Sequence, residues 1–159
     1  MKVKLDAYEM LNSGYIGLRR NLEALVRGRS PRFAERYPGE LWAYHVQGAM
    51  AEQAFCKAMG RYWGGGINTF HVSDVEGCDV DVRWSNGPTL KVRADDRGRI
   101  VKMRGVAPEF EVVGWIEASE AKRPEWLADP GNRGAPAYFV PDDRLQEAWK
   151  LKAILSETA

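Results

Sequence analysis

Apolar residues near the N-terminus recur at steps of three and four, which is the spacing of one face of a helix. The pattern predicts a helix over residues 5–27, ended by Gly28. Its apolar stripe consists of Tyr8, Leu11, Tyr15, Leu18, Leu22, Leu25 and Val26. Residues 31–39 are basic and irregular, and a second helix is predicted over 40–59 with Gly60 as its cap.

Beyond the second helix the periodicity changes from helical to alternating, as in β-strands. Strands are predicted over 67–72, 78–84, 89–94, 100–104, 110–116 and, more briefly, 137–140. Asn86-Gly87, between the second and third of these, is typical of a tight hairpin turn. A last helix is predicted to start at Pro141-Asp142-Asp143. This order of elements predicts an α+β fold with a mainly antiparallel sheet flanked by helices.

Composition and length narrow the class of protein. The chain has 159 residues, of which 45% are hydrophobic and 28% charged, which suits one globular domain. It contains no apolar run long enough to span a bilayer and no secretory signal at its start. Cys56 and Cys78 are isolated, without zinc-site spacing or a disulfide framework. We therefore expect a cytoplasmic protein that is not associated with a membrane.

The net charge of +1 neither supports nor excludes a nucleic-acid partner. Basic residues are nevertheless concentrated in one stretch, which only Asp95 and Asp96 interrupt. These basic residues are Lys91, Arg93, Arg97, Arg99, Lys102 and Arg104. The stretch is therefore the part of the chain that is best suited to contact phosphates.

The strand predicted over 78–84 has one charged and one apolar face. Alternation places Asp79, Asp81 and Arg83 on one side and Val80, Val82 and Trp84 on the other. Taken alone, the charged face is most often a solvated surface of an antiparallel sheet. Asp74, in the turn just before this strand, favours a metal site over a solvated surface, because two carboxylates on adjacent segments can share Mg²⁺.

The second helix contributes Glu52, which lies among small and apolar residues and therefore needs either an ionic partner or a metal. His45 lies seven residues earlier, on nearly the same helical face. Two roles remain open for His45, a structural one and one in orienting a substrate.

The order of these residues resembles the PD-(D/E)XK nuclease superfamily, in particular uncharacterised phage and bacterial members. Glu52 matches the helical acid, Asp74 the first motif aspartate, and Asp81-Val82-Arg83 the (D/E)XK triplet. Two positions depart from the pattern: Ser73 stands in place of proline, and Arg83 in place of lysine. Arginine is not a general base, although it can still bind a phosphate with two hydrogen bonds.

The resemblance implies a single domain with a restriction-endonuclease-like core. Within residues 1–159 it divides the chain into an N-terminal helical extension (1–39), the nuclease-like core (40–141) and a C-terminal helix (142–159). It implies Mg²⁺- or Mn²⁺-dependent phosphodiester hydrolysis of nucleic acid, with DNA favoured over RNA. The setting would be the cytoplasm of a bacterium or of a phage-infected host cell.

The resemblance also assigns the site residues. The catalytic residues would be Glu52, Asp74, Asp81 and Arg83. The metal ligands would be Asp74, Asp81, the carbonyl of Val82 and, in the inner or outer shell, Glu52. Contacts to nucleic acid would come from His45, Lys91, Arg93 and Lys102. The alternative, favoured by Arg83, is a catalytically inactive nuclease-like protein that binds nucleic acid or a host or phage protein; a homodimer also stays open.

Overall fold

A computed structural model describes residues 1–28, 41–67, 74–75, 77–132 and 134–157. The helices are α1 (Ala7–Val26), α2 (Leu41–Met59), α3 (Ala118–Ala121) and α4 (Ala148–Glu157). The strands are β1 (Lys2–Lys4), β2 (Val80–Trp84), β3 (Thr89–Val92), β4 (Arg99–Val106), β5 (Glu109–Glu117), β6 (Leu127–Ala128) and β7 (Ala137–Pro141). Short 3-10 helices cover Pro124–Trp126 and Asp142–Arg144.

The strands form two sheets, and the fold is α+β as predicted. The larger sheet has the order β1-β5-β4-β2, and the smaller has the order β3-β7-β6. Strands β2 and β4 run parallel, whereas every other pair among the described strands is antiparallel. The sequence did not predict β1 and β6, because three and two residues are too short to show an alternating pattern. No helix in the described part of the chain is both long and apolar enough to cross a membrane.

The predicted hairpin at Asn86-Gly87 is wrong. Strand β2 pairs with β4, and β3 pairs with β7 in the other sheet, so the turn joins two sheets rather than two neighbouring strands. The Asn86 side chain accepts a hydrogen bond from the backbone N–H of Gly105 at 2.9 Å. This contact ties the turn to the end of β4, and the chain then continues through Pro88 into the smaller sheet.

Helix α1 forms close to its predicted bounds, but its apolar stripe points away from the rest of the protein. A capping box with Asp6 and Glu9 starts the helix. The buried residues of α1 are Ser13 and Gly17, and Met10 and Ile16 are partly buried against the core. A Cβ atom on Gly17 would lie 2.5 Å from the Cα of Val46, so the two backbones approach too closely for larger side chains. Close packing of small residues, rather than burial of the stripe, joins α1 to α2.

The last helix begins later than predicted, at Ala148. The segment before it forms a strand-like bridge to β5, in which Gln146 and Trp115 exchange backbone hydrogen bonds of 2.7 and 3.0 Å. The side chain of Asp142 does not cap a helix, because it binds Lys102 and Arg104. Tertiary contacts of this segment therefore delay the helix by several residues.

Two predicted segments fall largely outside the described residues. Of the strand predicted over 67–72 the structure describes only Ile67, and the basic segment 31–39 lies wholly outside.

Two clusters of buried residues lie on the two faces of the larger sheet. The first packs α2 and α4 against that sheet, and the second fills the space between the two sheets. Val80 and Val82 belong to the first cluster. Their neighbours Asp81 and Arg83 therefore project to the other face, where Asp81 lies beside Ile100 of the second cluster. This alternation of β2 was predicted, and it controls the geometry of the candidate site.

Candidate functional site

Glu52 is buried, and Arg20 holds both of its carboxylate oxygens. The two N–H···O distances are 2.6 and 2.8 Å, and the Arg20 Nε also donates to the carbonyl of Gly66 at 2.8 Å. The indole N–H of Trp63 lies 3.4 Å from Oε2 of Glu52. The prediction that Glu52 needs a partner is thus met by an arginine of α1.

Sequence reasoning missed Arg20, although one signal was present. Arg20 follows Ser13 and Gly17 at steps of four and three, so it lies on the same small-residue face that packs against α2. Burial alone would lower the pKa of Arg20, but the hydrogen bonds and charge of Glu52, together with the charge of Asp74, raise it. The guanidinium stays charged and neutralises Glu52.

Asp74 lies alongside β2. Its backbone N–H donates to the carbonyl of Val80 at 3.1 Å, and its Oδ2 accepts from the backbone N–H of Val82 at 2.7 Å. Asp74 is therefore held at the edge of the larger sheet, and the contact between Asp74 and Val82 runs through the amide of Val82. The carbonyl that the resemblance assigned as a metal ligand takes no part in this contact.

The environment of Asp74 disfavours its negative charge. Burial, the charge of Glu52 and the charge of Asp81 raise the pKa of Asp74 to about 8, while the Val82 hydrogen bond and Arg20 oppose the rise. A positive charge added beside Asp74 would therefore stabilise its ionised form.

Arg83 organises the other face of β2. Its Nε and Nη2 lie 3.0 and 2.5 Å from Oδ2 of Asp81, and Nη2 lies 2.8 Å from Oδ1 of Asp96. Its Nη1 donates to the carbonyl of Lys91 at 2.6 Å. Burial alone would lower the pKa of Arg83, but both carboxylates outweigh it and raise that pKa. The arginine that replaces the family's lysine is thus a charged connector between the two sheets.

Asp96 is a second site residue that the sequence analysis did not select. It also accepts a hydrogen bond from the backbone N–H of Arg93. Burial would raise its pKa, but the hydrogen bonds and charges of Arg83 and Arg93 lower it, so the carboxylate is ionised. The signal available was its position, because it is one of the two acids that interrupt the basic stretch.

The three predicted acids do not all lie on the same side of β2. Glu52 lies on the α2 side of β2, Asp81 lies on the opposite face, and Asp74 lies at the strand edge within electrostatic range of both. Within the described ranges, no group of three His, Cys, Asp or Glu side chains is close enough to hold a metal ion. The strand itself separates Glu52 from Asp81.

The remaining donors nevertheless suit a hard cation. Asp74 and Asp81 each have one oxygen, Oδ1, that accepts no hydrogen bond from the residues that the structure describes. Mg²⁺ typically takes one or two protein carboxylates and completes its shell with water. Glu52 fits an outer position, because Arg20 occupies both of its oxygens.

Lys102 does not lie where a nucleic acid would contact it, which corrects its predicted role. Its side chain is fully buried, and its ammonium binds the carbonyl of Gly87 and the carboxylate of Asp142. A buried ammonium requires such partners, because water no longer solvates it. Arg104 binds the same carboxylate, so Asp142 links two basic residues of β4.

The other predicted nucleic-acid contacts have different surroundings. Lys91 and Arg93 are exposed, and both adjoin the Arg83 cluster through their backbones. His45 is half-buried on α2, where its backbone carbonyl faces Gly17 of α1. Lys91 and Arg93 are therefore the predicted basic residues that reach the surface beside the site.

Neither cysteine adds chemistry to the site. Burial and the charges of Glu52 and Asp74 raise the pKa of Cys56 to about 12, so it stays a thiol at neutral pH. Cys78 is half-buried, and both cysteines are free, as expected from their spacing.

Comparison with known proteins adds no family. No family model matches the chain, and neither a curated protein nor a solved structure matches it.

Proposed function

We propose that this chain is a PD-(D/E)XK-type phosphodiester hydrolase that depends on Mg²⁺ or Mn²⁺ and acts on nucleic acid, with DNA favoured over RNA. One observation carries the proposal. Asp74 lies at the edge of β2 within electrostatic range of Glu52 and Asp81, and burial, together with these two negative charges, raises the pKa of Asp74 to about 8. A divalent cation would offset the negative charge of these carboxylates.

In this proposal the carboxylates divide the work. Asp74 and Asp81 would hold the cation, and Glu52, fixed by Arg20, would stay in an outer position. When bound, the cation would supply Lewis acidity to the phosphate. The amide of Val82 keeps Asp74 oriented, which limits the motion of one ligand.

Arg83 acts as a fixed positive charge and not as a base. Its guanidinium lies beside Asp81 and is partly buried, where a charge is screened less than in water. It would offset the negative charge that grows on the phosphate as the bond to the leaving oxygen breaks. Lys91 and Arg93 extend the positive surface along the substrate backbone.

A second candidate function is a non-hydrolytic protein with the same scaffold, which binds nucleic acid or a host or phage protein. The observation that favours it is the state of the two outer acids. Arg20 already neutralises Glu52, and Arg83 already neutralises Asp81 on the opposite face of β2. Internal cations would then replace the metal as the partners of these acids.

Cleavage of a labelled oligonucleotide with Mg²⁺ or Mn²⁺ separates the two functions. We expect wild-type cleavage to fall at least about a hundredfold in Asp74→Asn and in Asp81→Ala, because even outer partners of metal ligands typically contribute 10–100-fold. The matched control is Asp143→Asn, an aspartate whose side chain is 77% exposed. It should cleave like the wild type.

A gel shift with the same oligonucleotide tests binding. Retarded migration without turnover by the wild type supports the non-hydrolytic candidate and rejects the hydrolase. Cleavage that persists unchanged in Asp81→Ala rejects the proposed site.

A further inference from the structure

Helix α1 presents a continuous apolar face to solvent. Its members are Tyr8, Leu11, Tyr15, Leu18, Leu22 and Leu25, and their exposed fractions range from 45% to 85%. We call these six residues the α1 seam. Isolated exposed leucines are ordinary, but a contiguous apolar patch of this extent marks an interaction surface.

The spacing of the α1 seam specifies the shape of its partner. Successive members are separated by three, four, three, four and three residues, which is the a/d pattern of a coiled coil. Such a seam is narrower than the apolar face of a helix that lies on a globular core. A second helix, docked nearly in line with α1, fits this pattern.

The α1 seam is also symmetric about its own centre, between Ile16 and Gly17. In an antiparallel arrangement Tyr8 would therefore face Leu25 of a second copy. The two further pairs are Leu11 with Leu22 and Tyr15 with Leu18. One two-fold axis thus brings all six residues into contact, as an isologous interface requires.

We propose that two copies of this chain form an antiparallel dimer through the α1 seam. The six side chains and the adjoining Val26 are 45% to 87% exposed, and a standard stable interface buries about 800 Å² of each partner. Helix α2 packs on the other side of α1, at Ser13 and Gly17, and leaves the seam accessible.

Charge does not oppose this dimer. None of the six seam positions is charged, and the flanking position 19 carries an arginine that would face Asn12 of the second copy. Antiparallel helices also place the opposite ends of their dipoles beside each other. By contrast, a helix adapted to a membrane surface typically carries rows of lysine and arginine beside its apolar face.

Sedimentation equilibrium of the full chain tests the dimer. We expect the wild type at micromolar concentration to have twice the monomer mass of 17.9 kDa. Leu18→Glu should raise the dissociation constant at least about thirtyfold, because the central residues of an interface contribute most of its affinity. The matched control is Leu127→Glu, which alters a leucine of similar exposure on β6 and should leave the dimer intact.

The fold is monitored in the same samples. Leu18→Glu changes an exposed side chain, so the variant should keep the circular dichroism spectrum and the cooperative melting of a folded protein. A wild type that stays monomeric up to about 100 μM overturns the proposal, since standard-size interfaces associate more tightly than that. A monomer that binds anionic vesicles through Leu18 also overturns it and assigns the seam to a membrane surface.

Disulfide trapping tests the orientation. In a Cys78→Ser background, Leu11→Cys and Leu22→Cys proteins are oxidised separately and as a mixture. The antiparallel dimer cross-links only in the mixture, because the two copies of position 11 would lie about 16 Å apart along the helix axis. A parallel dimer would instead cross-link each variant with itself, and that result overturns the proposed pairing.

Discussion

Two arginine–carboxylate clusters lie on opposite sides of β2, and they differ in how much of each is exposed to solvent. On the α2 side Arg20 binds both carboxylate oxygens of Glu52, and the two side chains are only 18% and 11% exposed. On the other side Arg83 is shared by Asp96, whose side chain is 10% exposed, and Asp81, whose side chain is 42% exposed. The first cluster is closed and the second is open, so we expect the first to contribute mainly to stability and the second to binding.

The largest expected effect is the loss of the closed pair. Arg20→Met leaves a buried glutamate without its counter-charge, and breaking such a pair costs about 3–5 kcal/mol of unfolding free energy. Urea unfolding measures the loss. The matched control is Arg19→Met, because Arg19 is half-exposed and lies 3.9 Å from Glu23, where a pair contributes less than about 1 kcal/mol. Equal losses in the two variants would contradict the contrast between the clusters.

The two acids of the open cluster should differ from each other. Asp96→Asn removes a charged partner of Arg83 in a buried position and should cost about 1.5–3 kcal/mol. Asp81→Asn, at the exposed position, should cost less than about 1 kcal/mol. Urea unfolding of both variants measures the two losses of stability. A larger loss in Asp81→Asn would show that Asp81, and not Asp96, has the structural role.

Between the clusters, Asp74 should make stability depend on pH. Its pKa is raised to about 8 in the folded protein and is about 4 in the unfolded chain, so the folded state binds more protons between these values. The contribution of Asp74 to the stability of the folded protein is therefore fully present below about pH 4, and it is lost as pH rises towards 8.

Melting temperatures at pH 5 and pH 8.5, without divalent cations, test this sign. Asp74→Asn should flatten the decline, because an amide does not titrate and can still accept the Val82 hydrogen bond. Asp143→Asn is the control and should keep the wild-type slope. A wild type that is more stable at the higher pH, or an unchanged slope in Asp74→Asn, would show that the folded protein does not raise the pKa of Asp74.

The smallest expected effect on stability comes from the exposed cations beside the open cluster. Lys91→Ala and Arg93→Ala should each change the unfolding free energy by less than about 0.5 kcal/mol. Each should reduce the slope of log affinity for an oligonucleotide against log salt by about 1. Lys150→Ala on α4 is the control. Slopes that stay unchanged in both variants would remove the nucleic-acid surface from this side of the sheet.

The sequence selected single residues of the candidate site, but it did not predict which residues pair with them. Glu52 was expected to need a partner, which Arg20 supplies, whereas the shared metal site of Asp74 and Asp81 stays a prediction. Arg20 was missed because 32 residues separate it from Glu52 and the helical pattern of α1 does not identify Glu52 of α2 as its partner. The steps from Ser13 and Gly17 to Arg20 indicate only that Arg20 lies on the same helical face, and they do not identify its partner.

What the sequence determined by itself is local. The ranges of α1 and α2, the alternation of β2 and the a/d spacing of the α1 seam follow from repeats of 3.6 and 2 residues, which depend only on neighbours along the chain. The tertiary structure alone decided that β2 pairs with β4, that α1 buries glycine and serine, and that Glu52 and Asp81 lie on opposite faces. Those outcomes depend on how closely distant backbones approach, and hence on the packing of the whole chain.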